Sequence, residues 1–175
     1  ISSGSMRRYA WSRVQQQVTE TLQVYPQVNG IQVFNDMGEY MYASYRNEWI
    51  PDTPSTREAI IDGLSNWSAF SNSSPREGIL EAIETFYDPT KKISLYVYSD
   101  DFAAGSINAV VREVDRRNLV GEDGTRRVRI HAVAFPVYYE VTNGQMLSSA
   151  RFAVLMRVLC QRNGGTFVAL SSLRG

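Results

Sequence analysis

The chain has 175 residues, 43% of them apolar and 21% charged, which is the composition of an ordinary globular domain long enough to bury a core. Lys plus Arg and Asp plus Glu stand at 18 each, a balance that argues against the basic face nucleic acids and anionic membranes require. His131 and Cys160 are each the single residue of their kind. A Ser/His/Asp triad or a histidine-rich zinc centre would depend on one strand histidine, and no intrachain disulfide can form, which suits a reducing compartment without requiring one.

Ile1-Ser2-Ser3-Gly4-Ser5-Met6 opens the chain as a small polar loop directly ahead of a helix. Such a loop gathers hydroxyls and free backbone N–H groups, the place for a cation, phosphate or carboxylate. Met6, Ala10, Val14, Val18, Leu22 and Tyr25 then recur at helical spacing, and Pro26 ends the helix. Gly30–Asp36 and Tyr40–Tyr45 are short apolar runs joined by Met37-Gly38-Glu39, which predicts an antiparallel hairpin.

Two capping boxes follow: Ser55-Thr56-Arg57-Glu58 ahead of Ile60, Ile61, Leu64 and Trp67, and Ser74-Pro75-Arg76-Glu77 ahead of Ile79, Leu80, Ile83 and Phe86. The second half alternates. Ile93–Tyr98 is a strand ending at Ser99-Asp100-Asp101, and Ile107, Val110, Val111 and Val114 mark a helix closed by Gly121–Gly124. Arg126, Arg127 and Arg129 make the densest basic run, at the solvated entrance to a strand over Val128–Phe135. A long helix over Gln145–Arg162 places Cys160 among Met156, Val158 and Leu159 as a buried thiol. Asn163-Gly164-Gly165 caps that helix, and Thr166–Leu170 is the last strand.

The order predicts one α/β domain over residues 1–175: a doubly wound, mostly parallel sheet with one antiparallel edge strand and helices on both faces. Ligands of such sheets bind at the carboxyl ends of the strands. Ser2–Ser5, Ser71–Ser74 and Ser99–Asp101 are therefore expected to meet at one edge. No apolar run is long enough to span a membrane.

In the order and spacing of its loops the chain resembles a von Willebrand factor type A domain. Ser3-Gly4-Ser5-Met6 is similar to the end of that family's Asp-x-Ser-Gly-Ser-Met motif, and Ser71-Asn72-Ser73-Ser74 before Gly78-Ile79-Leu80 to its Gly-Gly-Thr-Asn loop. Tyr98-Ser99-Asp100-Asp101 stands where the family has Thr-Asp-Gly, and Phe152–Leu155 through Val168 resembles its last helix and strand.

The resemblance implies a metal-ion-dependent adhesion site, in which Mg²⁺ (or Mn²⁺) is held by hydroxyls, carboxylates and water while an acidic side chain of a partner protein completes the shell. Ser3 and Ser5 would be hydroxyl ligands, Ser73 the threonine's equivalent, and Asp100 a carboxylate acting through water. Asp101 would border the partner surface. Two positions depart from the pattern: Ile1 stands at the first aspartate and Asp101 at the glycine. The fold also places a central apolar strand directly ahead of the first motif, so such a strand is expected upstream of Ile1.

The expected function is thus a protein-binding module, not an enzyme, within a larger protein or complex. Two alternatives are a metal-independent scaffold of the same fold and a Rossmann-like enzyme using Ser2–Ser5 as a phosphate loop. The last lacks a Gly-x-Gly-x-x-Gly or Walker lysine pattern and a base–nucleophile pair.

Overall fold

Sequence periodicity becomes structure most directly in the second half of the chain. A computed structural model describes residues 4–67, 71–137 and 146–173. Its helices are α1 (Gly4–Tyr9), α2 (Trp11–Val24), α3 (Pro54–Asn66), α4 (Arg76–Phe86), α5 (Ile107–Arg117) and α6 (Met146–Arg162). Three strands, β1 (Ile93–Ser99), β2 (Val128–Ala134) and β3 (Phe167–Ala169), form a parallel sheet in the order β1-β2-β3. Ile93 pairs with Val128 at one end of the first ladder, and Ala132 with Phe167 in the second.

Helices cover both faces. Val97 of β1 and Val128, Ile130 and Ala132 of β2 are buried against Ile79 and Ile83 of α4, Val110 and Val114 of α5, and Phe152, Leu155 and Leu159 of α6. On the opposite face Tyr98 and Val133 meet Met6 of α1, Val14 of α2 and Ala10 between the two helices. Tyr96 and Tyr98 also carry polar links there, Tyr96 Oη to Tyr25 Oη at 2.9 Å and Tyr98 Oη donating to Thr21 Oγ1 at 2.7 Å. Among the described residues no helix is long and apolar enough to cross a membrane.

Four expectations are corrected. The first helix is interrupted at Ala10, whose backbone (φ −123°, ψ 1°) separates α1 from α2. Its apolar stripe is continuous all the same, because Met6, Ala10 and Val14 are all fully buried. The hairpin does not form a ladder, and the described sheet is parallel throughout, with no antiparallel edge strand. Only the single bridge from Phe34 to Tyr40 remains of it; Ile31 bridges to Ile50 instead, and Ala43–Tyr45 is a 3-10 turn. Side chains capture the backbone in this segment: Asn35 Oδ1 accepts from the amides of Met37 (3.0 Å) and Glu39 (2.8 Å), and Gln32 Oε1 accepts from that of Val33 (2.9 Å). Local bonds of this kind compete with strand pairing.

The caps are displaced as well. Thr53, not Ser55, caps α3, accepting from the Thr56 amide at 3.1 Å with Pro54 in the first turn. α4 opens at Arg76 after Pro75, with Ser74 Oγ 3.5 Å from the Arg76 amide. By contrast α6 ends as expected. Gly164 lies in the left-handed region at φ 65°, and the Gly165 amide donates to Cys160 O at 2.9 Å. That is the six-to-one bond of a Schellman cap.

Candidate functional site

β1 runs into the loop Asp100–Ser106, at the carboxyl end of the parallel sheet where ligands of such folds bind. Ser5, in the first turn of α1, donates its hydroxyl to Asp100 Oδ2 at 2.5 Å across 95 residues of sequence. The bond joins the first and third predicted loops. A short contact to a carboxylate has the length of a charge-assisted hydrogen bond. Asp100 and Asp101 are both buried, at 1% and 2% exposure.

The Ser71–Ser74 loop arrives at the same edge by a different route. Ser73 O accepts from the Ala103 amide at 3.0 Å, which ties this loop to the one after β1. Ser73 itself sits at φ 55°, held by its amide donating to Ser71 Oγ at 3.1 Å. Its own hydroxyl has no hydrogen-bond partner among the described residues. Ser74 behaves as a cap-like residue between Asp36 and α4, as its amide lies 3.4 Å from Asp36 Oδ2. Ser3 lies outside the described residues.

Asp36 is the residue that sequence reasoning missed. It is buried at 8% exposure and accepts from Ser71 Oγ at 2.6 Å, which anchors the middle loop. A signal for it existed: Asp36 ends the apolar run Gly30–Asp36 just as Asp100 follows β1. Arg151 of α6 brings positive charge beside the loop, its guanidinium 5.2 Å from the Phe102 ring centre and donating to Phe102 O at 3.3 Å.

The donor set around this edge is oxygen only, from hydroxyls and carboxylates, which is what a hard cation such as Mg²⁺ takes. Among the described residues no group of three or more His, Cys, Asp or Glu is placed to hold a metal ion together. Any cation here would therefore lean on serine hydroxyls around Asp100. The two other reactive side chains lie elsewhere. Cys160 is buried, and burial pushes its thiol up to about 11. His131 stacks on Tyr96 with ring centres 4.6 Å apart and meets the Thr166 amide through Nδ1 at 3.2 Å. Burial first, and Arg129 second, lower its pKa.

Comparison of the chain with protein-family models, curated proteins and solved structures returned no match.

Proposed function

We propose that the chain is a protein-binding module of the von Willebrand factor A type, using the Ser/Asp edge to recognise an acidic residue of a partner protein. The observation that carries this reading is the Ser5–Asp100 hydrogen bond, with the Ser73 loop tethered beside it at Ala103. Three loops far apart in sequence converge at the end of a parallel sheet, and their side chains are hydroxyls and carboxylates. In this reading Ser3, Ser5 and Ser73 with Asp100 hold Mg²⁺ or Mn²⁺, while Asp101, 2% exposed, does not itself reach the partner. The bound cation supplies the positive charge that a partner's carboxylate meets.

Thermal denaturation in a Mg²⁺ or Mn²⁺ titration tests the metal. A midpoint that rises with millimolar cation, and no longer does so in Asp100→Asn and Ser5→Ala, is the expected result. An unchanged midpoint, or an equal rise in both variants, sinks it. The metal-independent scaffold keeps one specific support. Ser5 and Asp100 already satisfy each other directly, so the junction of α1 with β1 needs no ion to hold. That version expects no cation response in the parent or in either variant.

A further inference from the structure

The basic run Arg126-Arg127-Val128-Arg129 leads into β2, at the opposite end of the sheet from Asp100. A cleft of about 610 Å³ opens there, between the start of β2 and the end of α6. Lys92, Arg126, Arg127, Arg129 and Arg162 line it, and no carboxylate does. Glu122, exposed in the neighbouring loop, is not part of its wall.

Two of these cations have a structural task. Arg126 Nη2 and Arg162 Nη2 grip the two oxygens of Asp115 at 2.9 and 2.6 Å. Arg126 also donates to Asn118 O and Arg162 O, at the ends of α5 and α6. Cations at helix carboxyl ends meet open carbonyls and the negative end of the helix dipole. That task does not account for the other three. Arg127 meets Asp123 through Nη1 at 3.1 Å, but its Nε is buried without a hydrogen-bond partner among the described residues. Lys92 and Arg129 are exposed, and among the described residues neither side chain meets a carboxylate. Five cations thus share two carboxylates, an excess of three positive charges in one concavity. A cleft walled by one sign of charge concentrates ions of the other.

The wall also selects among anions. Arginine forks pair with phosphate oxygens two at a time. Gln161 adds a neutral donor, and no aromatic ring lines the cleft on which a base would stack. We propose that this cleft is a binding site for a compact polyphosphate, a ligand with several neighbouring phosphate groups and no base. Such groups occur free in solution and on the headgroups of phosphorylated inositol lipids. Arg126 and Arg162, fixed by Asp115, form the rigid part of the wall, and Lys92, Arg127 and Arg129 supply the unneutralised charge. The site is separate from the Ser/Asp edge, which lies at the other end of β1 and gathers carboxylates.

The test is calorimetric titration of the full chain with sodium tripolyphosphate in EDTA, which removes divalent cations from the other edge. Binding at one to one is expected, weakening with salt. The double variant Lys92→Gln/Arg129→Gln should bind at least tenfold more weakly with an unchanged melting midpoint, since both side chains are exposed. ATP, with the same phosphate chain, should bind no tighter than tripolyphosphate. Co-sedimentation with phosphatidylcholine vesicles containing phosphatidylinositol bisphosphate separates the sources: capture that tripolyphosphate reverses assigns a lipid headgroup, and no capture assigns a free ligand. No binding of tripolyphosphate, equal binding by the double variant, or ATP binding at least tenfold tighter overturns the proposal.

Discussion

Single residues decide how the loops around the sheet are anchored, and Arg57 shows it best. It holds Asp52 through Nε–Oδ1 at 2.6 Å and Nη2–Oδ2 at 2.8 Å. The same guanidinium donates to Leu22 O and Tyr25 O at 2.6 and 2.7 Å, so it satisfies carbonyls that the end of α2 leaves open. The Arg57 guanidinium beside Asp52 holds its carboxyl below the usual carboxylate range. A depressed carboxyl contributes stability above its unfolded pKa, about 3.9, and loses it as pH falls through the lower folded value. Asp52→Asn should cost about 2 kcal/mol at pH 7, the scale of hydrogen bonds to a charged group. Urea melts should show the gap between variant and parent closing only well below pH 4. None of this was visible in the sequence, which assigned Arg57 to the interior of a capping box. The partners of Arg57 come from α2 and from the loop before α3, and only folding brings them together.

Among the elements, the end of α6 is where local pattern and tertiary packing agree. Asn163-Gly164-Gly165 announced a cap, and each glycine has its own reason. At Gly164 a Cβ would find only Arg129 Cγ at 3.8 Å, but φ is 65°. At Gly165 a Cβ would lie 1.9 Å from Ile130 O, in the backbone of β2. Gly164→Ala should cost about 1 kcal/mol through left-handed strain. Gly165→Ala should cost more, about 3 kcal/mol, because backbone must move. Thermal melts that reverse this order would refute the assignment. Beside the cap, buried Asn118 joins α5 to the sheet: its Nδ2 donates to Val128 O and Asn163 Oδ1, both at 2.7 Å. Residues 30–45 are the opposite case. Their branched and aromatic residues, joined by the short Met37-Gly38-Glu39 link, predicted a hairpin. Asn35 and Gln32 instead bond the neighbouring backbone, and propensity for strands yields to those local partners.

For the whole molecule, the sheet is asymmetric in its hydrogen bonding. β2 is paired on both sides, with β1 through seven residue pairs and with β3 through three, while among the described residues β1 is paired on one side only. Local stability follows such differences. Native-state hydrogen exchange should find the amides of β2 slowest and those of Ser94, Tyr96 and Tyr98 among the fastest within strands; uniform protection across β1 would contradict the open edge. The sequence by itself determined the helices and strands of the second half and the two-faced burial around them, and it singled out Ser5, Ser73 and Asp100 as candidates. These depend on periodicity and turn residues within a few positions of one another, so they are written locally. Tertiary structure decided the rest: that Ser5 meets Asp100, that Asp36 anchors the middle loop, and that residues 30–36 stand apart from β1 instead of pairing with it. Each of these is a contact between distant segments, and it is set by which backbone and side-chain groups find partners once the layers pack.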